Sequence, residues 1–219
     1  MIIKDLSQTY ANGMPKAATI PEPSFSRLMS VERDGISVTQ LSVATHVGTH
    51  LDAPSHVIAG GKTIDQIPLD TLVGPAVVVS VKKPGGEKIT AQDLLDAGAN
   101  GSPGDALLIH TGWGSKFGTE DYHEHPYLAE DAAQWIVDNQ LRLVGVDTIT
   151  PELPGHLRQP GFDFPIHHIL LGSGVLIIEH LFLEEVIGQR FDLFVGSLKI
   201  ADADGSPTRV LAVFGDENR

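Results

Sequence analysis

Runs of apolar residues broken by glycine and proline predict short strands alternating with helices. Residues 35–45 partly alternate between apolar and polar positions and are rich in β-branched side chains, which predicts a strand. Residues 74–81 form an apolar run of the length typical of a buried strand. Residues 90–98 predict a short helix with Thr90 as its N-cap.

The middle of the chain predicts a parallel strand–helix–strand unit. Residues 105–113 indicate a strand, residues 127–140 a helix and residues 141–148 the next strand. A right-handed crossover would place the two strands parallel. Asp147 falls at the carboxyl end of the second strand, where open α/β sheets bind ligands, so it either serves a site or caps a turn.

The last third of the chain predicts a further helix and several strands. Residues 167–174 indicate a short helix, residues 175–181 a buried strand, and residues 191–214 strands with a hairpin around Asp204 and Gly205. We therefore predict an α/β fold, a single domain over residues 1–219 with a mixed parallel and antiparallel sheet.

Composition narrows the class of protein. The chain has 219 residues, 42% hydrophobic and 20% charged, which is typical of a globular domain. Its formal net charge is −13 and its Lys and Arg residues are not clustered, which argues against nucleic-acid binding. No apolar run approaches the ~18 residues of a membrane span, and the N-terminal residues do not resemble a signal peptide, so we expect a cytoplasmic protein without membrane contact.

Residues 46–56, with the sequence HVGTHLDAPSH, carry the candidate chemistry. They hold three histidines and an aspartate, and the chain has no cysteine, so any metal site must use imidazole and carboxylate groups. Gly48 and Pro54 argue against a helix, and glycine allows a tight loop that turns the imidazoles inward.

The spacing within this motif indicates a metal site with a neighbouring base. His46, His50 and Asp52 suit Zn²⁺, Mn²⁺ or Fe²⁺ and would leave an open position for water, as in catalytic sites. His56 is either a further ligand or a free acid/base beside the metal.

A second group of ligand-type residues lies near residue 170. His167, His168, Glu179 and His180 are available, and Glu179 interrupts an apolar strand, where a buried carboxylate needs a partner such as a metal. The two groups together could build a two-metal site.

Four other histidines are interpreted as ordinary structural or surface residues: His110, His123, His125 and His156. His123 and His125 lie in a polar stretch, which predicts a solvated loop.

Residues 46–56 match the pattern H-x-G-T-H-x-D-x-P-x-H at every defined position. The chain thereby resembles the cyclase-like metal-dependent hydrolase family, which includes bacterial kynurenine formamidase and isatin hydrolase. Further segments are similar to the family at residues 107–113, 143–152, 164–171, 177–181 and 201–207.

The resemblance implies site residues. The metal ligands would be His46, His50, Asp52, His167 and Glu179. Asp52 could bridge two ions, and His167 and Glu179 have the twelve-residue spacing of the second metal site in two-zinc members. His56 would be the catalytic acid/base, and the cofactor would be one or two Zn²⁺ per chain, with Mn²⁺ as an alternative.

The resemblance also implies a swivelling β/β/α fold, a homodimer or homotetramer with active sites near the subunit interface, and a small-molecule substrate. The implied reaction is hydrolysis of an aryl formamide such as N-formylkynurenine by metal-bound hydroxide, with His56 passing the proton to the leaving nitrogen. Alternatives are an isatin-like lactam hydrolase, a lyase or cyclase, and a non-catalytic metal-dependent binding protein. Residues 14–26 are expected to line the pocket.

Overall fold

Strands form the frame of the protein. The computed structural model describes residues 1–215. The strands are β1 (Ile2–Asp5), β2 (Ser24–Met29), β3 (Val38–Ser42), β4 (His50–Asp52), β5 (Val73–Ser80), β6 (Lys88–Ile89), β7 (Ala106–His110), β8 (Tyr127–Leu128), β9 (Leu143–Val146), β10 (Leu176–Glu179), β11 (Arg190–Ser197) and β12 (Gly205–Phe214). The α-helices are α1 (Val31–Asp34), α2 (Leu69–Leu72), α3 (Ala91–Asp96), α4 (Glu130–Asp138) and α5 (Pro165–Gly172).

Within residues 1–215, eight strands form the main sheet in the order β1–β12–β11–β5–β7–β9–β10–β4. Strands β5, β7, β9 and β10 run parallel, and the other neighbours are antiparallel. A further antiparallel pairing of β12 with β4 closes the sheet into a barrel-like ring. The predicted α/β class with a mixed sheet is confirmed.

Two apolar layers hold this sheet because successive strand residues point to opposite faces. On β7, Leu108 faces a core of strand residues that includes Leu51 and Ile178. Its neighbours Leu107 and Ile109 face the other layer, where helices α3, α4 and α5 cover the sheet. A helical crossover between parallel strands requires this arrangement, with apolar residues on both faces.

The buried strands were predicted well. Residues 105–113, 141–148 and 175–181 contain β7, β9 and β10, and residues 74–81 match β5 to within one residue at each end. Thr90 caps helix α3 by accepting a hydrogen bond from the backbone N–H of Asp93.

Asp147 serves the turn after β7. Its carboxylate accepts hydrogen bonds from the backbone N–H of Thr111 at 2.9 Å and of Gly112 at 2.8 Å, and another from the Thr111 hydroxyl. Of the two interpretations left open from the sequence, the structure favours the turn cap.

The strand predicted at residues 35–45 is present as β3, Val38–Ser42. Strand β3 does not lead into the main sheet but pairs with β2 as a separate hairpin. All five of its residues are exposed, with Leu41 at 64%. The sequence pattern predicted this strand but not its pairing, because alternation does not show which element covers a strand.

The helix predicted over residues 127–140 begins later, at Glu130, because Tyr127 and Leu128 pair with β6. None of the helices in residues 1–215 is long and apolar enough to cross a membrane.

Candidate metal centre

Gly48 turns the chain at the entrance to the site. Its φ of 63° lies in the left-handed region, and a Cβ there would lie 2.9 Å from Cζ of Tyr10, so only glycine fits without strain. Past this turn the chain enters β4. The side chain of His46 reaches across to Asp52, whose Oδ1 lies 2.8 Å from its Nδ1. The predicted tight loop is therefore confirmed before residue 50, and a short strand replaces it afterwards.

Strand β4 carries two of the candidate ligands because it is held on both sides. His50 and Asp52 are two residues apart and so point to the same face. On one side His50 lies opposite Glu179 of β10, and on the other Asp52 lies opposite Gly205 of β12. The register of the sheet thus places a second carboxylate beside the histidine motif.

Four side chains converge at this point, and all are buried: His50, Asp52, His167 and Glu179. Nε2 of His50 lies 3.2 Å from Oδ1 of Asp52 and 3.3 Å from Oε2 of Glu179. Nε2 of His167 lies 3.7 Å from the other Asp52 oxygen and 3.4 Å from the other Glu179 oxygen. Each carboxylate therefore has one oxygen toward each histidine.

The donor atoms fit a divalent metal ion. Among residues 1–215, four buried atoms at the centre make no regular hydrogen bond and face only other ligand-type groups, namely Nε2 of His46, Nε2 of His50, Oδ2 of Asp52 and Oε1 of Glu179. Buried polar atoms are normally satisfied, so an inward-facing group of orphans indicates a missing ligand. His50 has its Nδ1 2.7 Å from the carbonyl oxygen of Gly48, which leaves the Nε2 lone pair free for a metal.

His167 is oriented by a residue that the sequence interpretation missed. Glu152 Oε1 lies 2.9 Å from Nδ1 of His167 and accepts a hydrogen bond from its backbone N–H at 2.9 Å. A carboxylate behind a histidine fixes its tautomer and leaves Nε2 toward the cluster. Only the position of Glu152 at the end of a segment similar to the family could have drawn attention to it.

The metal-free cluster holds protons on its histidines. Burial lowers the pKa of His46, but the hydrogen bond and charge of Asp52 outweigh it and raise the pKa to about 9. Burial also lowers the pKa of His167, while Glu152 and Glu179 raise it to about 10. Both imidazoles are therefore protonated at pH 7, and a metal must displace these protons.

His56 stands beside the cluster. It lies in the 3₁₀ turn Pro54–His56, and its ring stacks on that of His46 with centroids 3.8 Å apart. Its Nδ1 lies 3.7 Å from Oδ2 of Asp204, a residue that the sequence interpretation also missed. Burial lowers the pKa of His56, so this imidazole is neutral at pH 7 and can accept a proton.

A cavity of about 930 Å³ opens onto the cluster, and His46, His56, His167 and Glu179 line it. Residues 16–20 form part of its wall, which confirms that the segment 14–26 contributes to the pocket.

A family model described as “Putative cyclase” matches residues 4–153. The chain belongs to the cyclase family. A kynurenine formamidase of Geobacillus thermodenitrificans is 32% identical over 207 residues, which cover 94% of this chain and 94% of the relative.

The fold of the chain is also similar to solved structures. The predicted metal-dependent hydrolase of Bacillus stearothermophilus superposes with a TM-score of 0.79 at 30% identity, covering 96% of this chain and 97% of that one. Isatin hydrolase A of Labrenzia aggregata superposes with a TM-score of 0.85 at 24% identity, covering 96% and 93%, and shows the fold alone. These relatives and the ligand cluster identify the cyclase-family chain as a metal-dependent amidohydrolase.

The prediction of a solvated loop around His123 and His125 is confirmed for His123, which is exposed, and was wrong for His125. Tyr122 is buried, and its hydroxyl lies 3.0 Å from Nδ1 of His180, which anchors the 3₁₀ helix Glu120–Glu124 on the body of the protein. His125 is consequently buried, and burial lowers its pKa to about 4. Both His123 and His125 line the cavity of this cyclase-family enzyme.

Metal binding is expected to release about one proton each from His46 and His167 at pH 7, because ligation requires neutral imidazole. Any proton that His50 holds is released in addition, since burial lowers the pKa of His50 but Asp52 outweighs it and raises this pKa as well. Calorimetric titration of the metal-free enzyme in buffers of different ionisation enthalpy measures this number. Release should fall as the pH rises through about 9 to 10. No proton release at pH 7 would contradict the charge states assigned to the metal-free cluster.

The same raised pKa values fix the pH dependence of stability. In the metal-free enzyme, the attraction between the protonated His46 and His167 rings and the neighbouring carboxylates adds to the free energy of unfolding. This contribution is fully present below about pH 6.5 and is lost as the pH rises through about 9 to 10. Metal affinity should change in the opposite direction over the same interval.

Glu152→Gln is expected to weaken metal binding by roughly 10–100-fold, the usual effect of removing an outer hydrogen-bond partner of a ligating histidine. The change keeps the side-chain size but removes the charge that orients His167. Chelator competition on the purified variant measures the affinity. An exposed substitution, Glu130→Gln at the start of α4, is the matched control, and equal affinities in both variants would refute the orienting role.

Proposed function

We propose that this enzyme hydrolyses the amide bond of an aryl formamide and releases formate and an aryl amine. N-formylkynurenine is the leading candidate for the substrate. The observation that carries this proposal is the group of unpartnered His and carboxylate atoms beside a neutral His56 on the wall of one cavity. The kynurenine formamidase relatives support the same substrate class.

We propose Zn²⁺ as the metal, bound in two neighbouring sets of donors that share Asp52. The first set comprises His46, His50 and Asp52, and the second comprises Asp52, His167 and Glu179; in each set the candidate ligand atoms lie within 4.8 Å of one another. Imidazole and carboxylate donors suit Zn²⁺ and also Mn²⁺. A bound divalent ion supplies Lewis acidity and lowers the pKa of water toward neutrality.

The protein residues then have to manage one proton. Hydrolysis breaks the C–N bond, adds a hydroxyl group to the formyl carbon and adds a proton to the nitrogen. His56 is neutral, half-buried and open to the cavity, so it can take a proton from water and give it to the leaving nitrogen. Asp204 lies behind its Nδ1 and favours the protonated state that forms between these two steps.

The cavity suits an aromatic substrate because apolar and aromatic side chains share its wall with the histidines. Ala17, Ala18, Ile20, Ile149 and Phe164 contribute these surfaces. An aryl group bound there would be excluded from water, while its amide would lie toward the histidines.

The test is incubation of zinc-loaded enzyme with N-formylkynurenine and, separately, with isatin, followed by product mass and formate analysis. The expected result is addition of one water to N-formylkynurenine with release of formate. If the enzyme hydrolyses isatin but not N-formylkynurenine, its substrate is a lactam and not a formamide. A product that has lost one water would indicate cyclisation instead of hydrolysis. Binding of either compound without turnover by the metal-loaded protein would reject hydrolysis.

Metal content per chain tests the proposed ligand sets. Elemental mass spectrometry of protein purified without chelator should give about two zinc ions per chain. One ion per chain would reduce the site to one of the two donor sets.

A further inference from the structure

Arg158 is a cation on the wall of the cavity. It follows the 3₁₀ turn Gly155–Leu157, and its Nε donates a hydrogen bond to the backbone carbonyl of Leu153 at 2.7 Å. Its guanidinium carbon lies 4.9 Å from the ring centre of Phe162 and 5.0 Å from that of Phe164. One backbone bond and two aromatic rings therefore hold the guanidinium in place.

Arg158 makes no direct ion pair in the part of the chain that the structure describes, although the charges of Glu152 and Glu179 act on its guanidinium from a longer distance. Among residues 1–215, no Asp or Glu lies within ion-pair distance of its guanidinium. The other permanent cation on the wall is Lys16, whose Nζ lies 3.1 Å from a carboxylate oxygen of Glu22. The carboxylates of Glu152 and Glu179 are directed at His167, so the arginine keeps the hydrogen-bonding edge of its guanidinium free for an anionic ligand in the cavity.

Phe164 connects Arg158 with the metal cluster. Its ring lies 5.0 Å from the guanidinium on one side and 6.0 Å from the His167 ring on the other. Its φ of 53° and ψ of 58° are left-handed, which is unusual for a bulky residue and persists only where the surrounding structure enforces it. The ring of Phe164 therefore lies between the guanidinium of Arg158 and the ring of His167, a candidate metal ligand.

We propose that Arg158 binds a carboxylate of the substrate, so that the enzyme prefers aryl formamides that carry an anionic group apart from the scissile amide. The planar guanidinium can donate two parallel hydrogen bonds to a carboxylate, which neutral lactams and unsubstituted formanilides cannot accept. This inference rests on the proposed function and specifies its substrate class.

The test compares two substrates that differ only in this charge: N-formylkynurenine and its carboxyl methyl ester. Arg158→Gln keeps an N–H that can reach the Leu153 carbonyl but removes the charge. It is expected to lower kcat/KM for the acid by roughly 10–100-fold, the usual effect of losing a hydrogen bond to a charged group. The methyl ester should change little, and Arg158→Lys should recover part of the loss because it restores the charge without the planar fork.

Arg209→Gln is the matched control. It removes the same charge from the pair that Arg209 forms with Asp5 on the outer strands β1 and β12, so it should leave the acid-to-ester ratio unchanged. An equal loss for both substrates in Arg158→Gln would assign Arg158 a purely structural role and overturn the proposal. Wild-type activity of Arg158→Gln toward both the acid and the ester would overturn the proposal as well.

A binding measurement separates this inference from the proposed function. If the wild-type enzyme hydrolyses neither compound, the formamidase function fails, and calorimetry with kynurenine and its methyl ester still tests the arginine. Tighter binding of kynurenine that disappears in Arg158→Gln supports the carboxylate site. Equal binding of the two compounds by the wild type overturns it.

Discussion

His56→Ala is expected to lower kcat by roughly 10²–10⁴-fold while the bound metal remains, the range found for loss of a general acid/base. His56 packs on the ring of His46 but belongs to a turn outside the four buried ligands. Its removal therefore leaves both proposed donor sets in place, with His46, His50, Asp52, His167 and Glu179 all present. Steady-state rates with N-formylkynurenine, together with metal content per chain, measure both parts of the prediction.

The neighbouring histidine His168 provides the control for this experiment. It lies on helix α5 directly after His167, but its side chain is exposed and outside the cavity. His168→Ala should keep both rate and metal. If His56→Ala loses metal along with activity, His56 is a ligand in a set with His46 and Asp204, whose atoms are close enough for that. Unchanged turnover would remove His56 from the mechanism altogether.

Asp52→Asn is expected to have the largest effect on metal binding, greater than the roughly 10–100-fold of an outer-shell change. Asp52 is fully buried and has its two oxygens toward His50 and His167, so it contributes to both donor sets. Burial raises its pKa, but the charges and hydrogen bonds of His50 and His46 hold the pKa well below its usual range. The neutral amide removes this charge with almost no change in volume.

Metal content after dialysis, and affinity by chelator competition, measure the effect of Asp52→Asn. Asp192→Asn on the exposed side of β11 removes the same charge elsewhere and should keep the metal. Asp52→Asn protein that retains wild-type metal content would show that Asp52 is not a ligand, and the two proposed donor sets could not share it.

The sequence predicted the parts of the site that are close together along the chain. His46, His50, Asp52 and His56 fall within eleven residues, so their spacing alone indicated a metal loop. The pairing of this loop with Glu179 depends on the register between β4 and β10, which no local pattern contains. The carboxylate of Glu179 within an apolar strand suggested a second metal-binding group, and resemblance to a family then implied that Glu179 and His167 complete the site.

Asp204 and Glu152 were missed because tertiary structure brings them to the site. Asp204 reaches His46 and His56 only because β12 closes the sheet against β4. Gly205 belongs to the same closure, since a Cβ there would lie 2.8 Å from the His46 ring. Its role in the sequence interpretation was limited to a hairpin turn.

The polar stretch around His125 was misread for a related reason. Charged neighbours indicated a solvated loop, but one buried aromatic residue, Tyr122, is enough to anchor it. The alternation in β3 likewise predicted a strand but not its exposure in a hairpin. Burial in both segments depends on what packs against them, which composition does not specify.

Closure of the sheet through β4 also determines when the centre can assemble during folding. The motif is synthesised early, but its partners on the two sides of β4 come from residues 177–179 and 205–207. Contacts over such sequence separations form late because they require the closure of long loops. A partly synthesised chain therefore exposes the histidines without the residues that complete and enclose the cluster, and stable uptake of metal would mark a finished fold.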